Sequence, residues 1–287
     1  MAPRQHADTA AEAAARLTGR TVTGSGRTGA LSEVTLDGGL DGDEAVVVKR
    51  GHPPGAAIAE AAGLRWLAAA GTVALPRVHG ADTGWLVLDL VEQASPTSAA
   101  AEAFGRELAA LHAAGAPSFG AAPPDGPADA WIGLAPMRNV PGDSWPQWYA
   151  EHRVLPYVGM AVDDGTVSTA EARVIERACA RFPETTEAPA RLHGDLWNGN
   201  VLWSDAGVVL IDPAAHGGHR ESDLAMLHLF GCPHLDRIVA AYHEAAPLAD
   251  GYRERIPMHQ LFPLLVHTVL FGRSYAGQAV AAARALG

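Results

Sequence analysis

Hydrophobic and polar positions repeat with two different periods along the chain, and the change of period falls near residue 92. Before it, short apolar runs dominate. Glu44 to Arg50 (EAVVVKR) and Trp85 to Val91 (WLVLDLV) read as strands, and Leu31 to Leu36 alternates imperfectly in the same manner. One longer pattern, from about Gly55 to Ala70, sets Ile58, Ala62, Leu64 and Leu67 on an apolar stripe. Pro53-Pro54 ahead of it and Gly71 behind match the residues that start and stop helices. Residues 8 to 18 are alanine-rich and helix-compatible.

After residue 92 the period becomes helical. Residues 98 to 114 carry Phe104, Leu108 and Leu111 on one face and end at Gly115. Ser168-Thr169-Ala170-Glu171 is a capping box opening another helix. Ser222 or Asp223 can cap a helix through Leu224, Leu227 and Phe230, and helical segments follow at about 235 to 246 and 257 to 284. Residues 116 to 146 are rich in proline and glycine but contain Trp131, Trp145 and Trp148. They read as a long ordered loop packed on the larger lobe. The expectation is an α+β protein in two lobes: residues 1–91 as a small antiparallel β lobe with one helix, and 92–287 as a larger, mainly α lobe.

The chemistry concentrates between residues 191 and 223. His193-Gly194-Asp195 supplies a carboxylate that can accept a hydroxyl proton, and Asn200 and Asp212 are oxygen ligands of the kind Mg²⁺ takes. Between the two, Val201-Leu202-Trp203 and Val208 to Ile211 flank Ser204-Asp205-Ala206-Gly207, which reads as a hairpin holding both ligands toward one site. Base and two metal ligands in this order suit phosphoryl transfer, which asks a protein mainly for positioning and charge neutralisation. The cation such a site needs is Lys49, at the end of its strand. It is the only lysine of the 21 Lys and Arg residues. Arginine replaces lysine freely on a wet surface, whereas a compact ammonium and a planar guanidinium differ inside a tight phosphate site. Glu60, in the helix that follows, is placed to hold Lys49 over nucleotide phosphates. Asp89 and Val91 stand where backbone groups would meet adenine, although an ordinary edge strand reads the same way. Gly24, Gly26 and Gly29 form a glycine-rich turn through which backbone N–H groups approach phosphates. Alone, that turn is better read as a plain hairpin.

Composition narrows the classes. A formal net charge of −11 gives no general attraction for nucleic acid or anionic membrane. Cys179 and Cys232 lie far apart without zinc spacing, which suggests buried reduced thiols in a cytoplasmic protein. The start of the chain lacks the apolar core of a signal peptide, and the apolar run Leu261 to Phe271 is too short to span a bilayer. His216-Gly217-Gly218-His219 reads as a loop on the substrate side rather than a zinc site, because two glycines do not fix two imidazoles and no third ligand lies nearby in sequence.

HGDLWNGNVLW at 193–203, with LIDPAAHGGHRESDLAMLHLFG at 210–231, resembles the fructosamine kinase (ketosamine kinase) family, within the protein-kinase-like and aminoglycoside-phosphotransferase-like superfamily. EAAGLRWLAAAG at 60–71, WIGLAPMRN at 131–139 and HQLFPLLVHTVLFG at 259–272 are similar to that family as well, so the likeness spans nearly the whole chain. It departs at the glycine-rich turn, where family members often carry a Gly-Gly-Ser/Asp-Ile type of loop and this chain has GSGRTGALSE. The resemblance implies a bilobal protein-kinase-like fold and ATP-dependent phosphorylation of a sugar hydroxyl, the 3-hydroxyl, on a small-molecule ketosamine or glycated amine. It implies Asp195 as base, Asn200 and Asp212 on Mg²⁺, Lys49 on the α/β-phosphates with Glu60 orienting it, Trp197 as a wall of the sugar pocket, and His267 reaching the substrate from the C-terminal helices. Neither a nucleic-acid nor a membrane partner is implied, and a monomer is compatible. The alternatives on the same fold are an aminoglycoside- or choline-type phosphotransferase and, from another class, a nucleotide-binding protein without catalysis. The latter is disfavoured because lysine, base and metal ligands are all present.

Overall fold

The computed structural model describes residues 8–28, 31–39 and 42–286. Five antiparallel strands open the chain in the spatial order β1-β2-β3-β5-β4: β1 (Val22–Thr28), β2 (Leu31–Leu36), β3 (Glu44–Arg50), β4 (Val78–Ala81) and β5 (Trp85–Asp89). In β3, Val46 and Val48 point to one side and are buried, and Val34, Leu36 and Val87 join them in a small core. Helix α1 (Ala10–Thr18) covers that core with Ala14 and Leu17. On the other face, α2 (Ala56–Ala68) packs Ala57, Ala61 and Leu64 against Leu86 and Leu88. The sheet therefore carries two helices where one was expected. The alanine-rich opening segment folds because Thr9 and Glu12 form a capping box and its small side chains allow close approach to the strands.

Gly24 and Gly26 lie inside β1, paired with Thr35 and Glu33, rather than in a turn. The ladder to β2 runs from Val22 onward, so both glycines become strand positions of the kind that leave backbone open to a neighbour. Gly29 lies outside the described residues.

From Asp89 the chain runs to α3 (Ser98–Ala113), and helices dominate thereafter. The proline- and glycine-rich stretch is ordered around a hairpin, β6 (Asp129–Ile132) and β7 (Ala135–Arg138). Then come α4 (Trp145–Tyr149), a π-helical turn at Ala150–Val154, α5 (Leu155–Asp163) and α6 (Thr169–Cys179), the last opened by the expected Ser168–Glu171 box. Strand β8 (Ala190–Leu192) leads into the HGD segment. The hairpin β9 (Val201–Ser204) and β10 (Gly207–Leu210) follows, then β11 (His216–Gly218) paired back on β8, α7 (Glu221–Phe230), α8 (Leu235–Ala245), α9 (Tyr252–Phe271) and α10 (Arg273–Arg284). Gly272, at φ 86°, breaks the segment expected as one helix from 257 to 284 into α9 and α10.

Two connections hold α2 and the β6–β7 hairpin in place. The far end of α2 (Trp66, Leu67) shares a core with α3 and with Val201, Val208 and Leu210 of the β9–β10 hairpin, and Leu210 N–H donates to Ala74 O at 2.9 Å. The helix bearing Glu60 and the hairpin leading to Asp212 are thus packed into one block. Around β6–β7, the buried Arg153 donates to Arg138 O at 2.9 Å and Asn139 Oδ1 at 2.7 Å, with its guanidinium 4.6 Å from the Trp148 ring centre. Burial lowers its pKa to about 10, so it keeps its charge at neutral pH. That buried cation anchors the end of the WIGLAPMRN segment.

Candidate active site

Asp195 follows a tightly held turn. Gly194 has φ 82°, and a Cβ there would lie 2.1 Å from Ala214 O, so only glycine fits. Asp223, inside α7, accepts the N–H groups of His193 (2.8 Å) and Gly194 (2.9 Å) and a bond from His112 Nε2 (3.1 Å). Burial works to raise the Asp223 pKa, but these donors and the nearby His112 and His193 hold it below the ordinary carboxylate value. Helix α7 starts at Glu221, so Asp223 is no cap; its oxygens are spent on the loop instead. His193 Nε2 donates to Ile211 O at 2.9 Å, tying the loop to the strand that delivers Asp212.

Asn200 Nδ2 donates to Asp195 O (2.8 Å) and Asp195 Oδ2 (3.1 Å). Ile211 N–H donates to Asn200 O at 3.1 Å, which brings the backbone of the two arms of the hairpin together where Asn200 and Asp212 stand. Asp212 takes φ 53°, an uncommon backbone setting for a residue with a side chain, and its carboxylate is partly open. Lys49 Nζ contacts Asp212 Oδ1 at 2.6 Å and Glu60 Oε1 at 2.8 Å. Burial opposes the ammonium, yet the two carboxylates together raise its pKa above the ordinary lysine value. Glu60 is itself raised, mainly by burial and only partly offset by Lys49. Burial also pushes Asp195 up to about 7, against the opposing bond from Asn200.

Lys49, Glu60, Asp195, Trp197, Asn200 and Asp212 line one cavity of about 340 Å³, together with Trp131 and Leu134 of the β6–β7 hairpin and Ala56 of α2. Gly24, Gly26, Asp89, Val91 and His267 are not among its lining residues. Asp89 N–H donates to Arg77 O (3.1 Å), and its carboxylate meets Arg77 N–H (2.8 Å) and His79 Nε2 (2.6 Å). His267 donates from Nδ1 to Pro263 O at 2.7 Å and stacks 5.0 Å from Phe230, which in turn meets the Trp197 ring at 6.0 Å. Gly199 lies under Trp197, whose ring atoms come within 2.2 Å of where a Cβ would stand.

The HGGH segment is a buried strand rather than a substrate-side loop, because β11 pairs with β8 directly beneath the HGD turn. His219 alone of its two histidines meets other donors: ligand atoms of His219, Glu221 and His259 lie within 4.8 Å of one another. Sequence spacing hid this, since His259 arrives from α9. Arg255 donates to both oxygens of Glu221, at 2.6 and 2.8 Å. Burial would raise Glu221, but Arg255 first and the histidines after it bring its pKa down to about 2. Burial keeps His219 and His259 below the ordinary histidine pKa. The group is a buried ion pair flanked by imidazoles. Cys179 and Cys232 are free, and burial raises both thiols, to about 12 and 11.

The model of the fructosamine kinase family matches residues 33–286. The chain belongs to the fructosamine kinase family. A probable ketoamine kinase of Thermus thermophilus is 37% identical over 78% of this chain and 80% of its own, and one of Synechocystis is 35% identical over 77% and 75%. The solved structure of a candidate fructosamine-3-kinase from Thermobifida fusca superposes with a TM-score of 0.87 at 47% identity, covering 98% of this chain and 99% of the other. At fold level alone, an aminoglycoside phosphotransferase at 13% identity has a TM-score of 0.58 over 92% of this chain and 95% of its own. The fold is accordingly the protein-kinase-like one, a small antiparallel lobe joined to a helical lobe. No helix among the described residues is long and apolar enough to cross a membrane.

Proposed function

We propose that this member of the fructosamine kinase family is an ATP-dependent kinase of small-molecule ketosamines, that it acts on the 3-hydroxyl of the sugar, and that it works in the cytoplasm. The reading rests on one observation: a base candidate, two oxygen ligands and a clamped ammonium converge on one cavity, linked by contacts of 2.6 to 3.1 Å. The donor set fits a hard cation. Asp212 offers a partly open carboxylate already able to hold the positive charge of Lys49, and Asn200, lining the same cavity, offers an amide oxygen.

In this reading Asn200 and Asp212 hold Mg²⁺ and Lys49 meets the phosphates of ATP. When bound, the nucleotide supplies the γ-phosphoryl group and the metal neutralises its charge. Asp195 orients the sugar hydroxyl and takes its proton as the oxygen attacks. Asn200 fixes the Asp195 side chain through its amide N–H, and Glu60 keeps Lys49 in place. Trp197 walls the sugar, and His267 stands behind it through Phe230. Gly24, Gly26 and Gly29 on the phosphate side, Asp89 and Val91 on the adenine side, and a boundary between lobes near residue 92 complete the proposal.

Incubation with ATP, Mg²⁺ and a synthetic fructosamine gives a product phosphorylated on the sugar, and Asp195→Ala slows it by at least about 10²-fold. A wild-type rate in that variant removes Asp195 as base. Turnover of an aminoglycoside or of choline with none of any ketosamine moves the chain to those substrates.

A further inference from the structure

Among the described residues, five large hydrophobic side chains are exposed, and four of them line the candidate active site or join its lining through ring contacts: Leu134 (58%), Trp197 (39%), Phe230 (39%) and Phe271 (64%). Trp197 and Leu134 line the cavity itself. From Trp197 the aromatic rings continue outward without a gap. Phe230 stands at 6.0 Å, His267 at 5.0 Å from Phe230, and Phe271 and Tyr275 at 5.4 and 5.0 Å from His267. Three separate elements build this strip: the loop after Asp195, the C-terminus of α7, and the α9–α10 junction. The β6–β7 tip faces it, since Gly133 packs near Leu270.

Exposed apolar surface of this kind is costly unless it is used, and here it begins where the sugar would end. We infer that the strip reads the substituent on the ketosamine nitrogen, and that the preferred substrates carry an aromatic or apolar amine substituent. This rests on the ketosamine reading of the site. With the sugar hydroxyl at Asp195 and the sugar against Trp197, the substituent must leave the cavity by its open side, along these rings. The protonated amine passes over aromatic faces, which attract cations, and the apolar group beyond it is sheltered from water. A strongly hydrated substituent leaves the amine's attraction in place but gains no shelter, and an acidic one adds a carboxylate that aromatic faces do not favour.

The test compares two ketosamines of fructose, one made with benzylamine and one with ethanolamine. In the wild-type protein kcat/KM favours the benzyl compound by about tenfold, the scale of one apolar group in a hydrophobic site. Phe271→Ala and Phe230→Ala, each checked for a cooperative thermal transition, bring that ratio to within about twofold of one. A wild-type ratio near one, or a tenfold ratio retained in both variants, overturns the inference while leaving the ketosamine reading intact. If sedimentation shows that Phe271→Ala splits a dimer and the ratio stays, the rim is a contact between copies and the inference fails. Turnover of neither ketosamine removes both readings together.

Discussion

Asp195 has to be ionised to take a proton, and the fold makes that harder. Burial lifts its pKa to about 7, so a fraction of the ligand-free protein at neutral pH holds the carboxyl protonated. A base that starts work near its own pKa is well matched to the reaction, but it is vulnerable to acid. The sign is clear: below about pH 7 the protonated form grows, and kcat/KM falls about tenfold per pH unit through that limb. A kcat/KM profile flat down to pH 5 would show that Asp195 is not the group that must lose its proton. Lys49 carries the complementary role. Its ammonium fits between Glu60 and Asp212 at 2.8 and 2.6 Å, a spacing that a planar guanidinium cannot reproduce with both partners. Lys49→Arg, which would make it the same as every other Lys or Arg position of the chain, lowers kcat by about 10²-fold while circular dichroism remains that of the folded protein.

Helix α7 gives Asp223 the role that the family resemblance implies for it, a buried brace for the catalytic loop rather than a reacting group, and not the capping role that local sequence also allows. The Ser222/Asp223 pair reads as a helix start, because short polar residues before an apolar run are good caps. The helix begins at Glu221 instead, which frees the Asp223 carboxylate to hold the HGD turn through two hydrogen bonds and His112 of α3 through a third. Removing it strands two buried N–H groups and a buried imidazole. Asp223→Ala should cost about 3 kcal/mol, read as a fall in the urea midpoint at pH 7.5. Because its pKa is depressed, the contribution of Asp223 is complete well above the ordinary aspartate pKa and is lost as pH falls through its lowered folded value. Destabilisation of equal size at pH 7.5 by Asp205→Ala, a surface turn position, would argue against this account.

At the scale of the molecule, legibility follows locality. Strand β3 matches the EAVVVKR run, the β9–β10 hairpin follows its apolar pairs, and the Ser168 capping box opens α6; each depends on neighbours a few residues apart. The Lys49–Glu60 contact spans one strand and one helix, so its order in the chain announces it. Features joined over long separations were hidden. The two histidines of the HGGH segment sit in or beside the short strand β11, whose partner lies more than twenty residues away, and His259 joins His219 and Glu221 from another helix. The glycines of β1 look the same in sequence whether they sit in a turn or a ladder, and only the pairing with β2 separates the two. Arg153 anchors the pocket rim through carbonyl oxygens and an aromatic face, contacts that no spacing rule marks.

The clamp on Lys49 has a consequence beyond phosphate binding. Reducing sugars condense with free amines, and an amine reacts only when it is unprotonated and accessible. This chain has one side-chain amine in 287 residues, and it is mostly shielded and kept protonated between two carboxylates. A protein that handles the products of sugar–amine condensation therefore offers that same chemistry scarcely any side-chain target of its own.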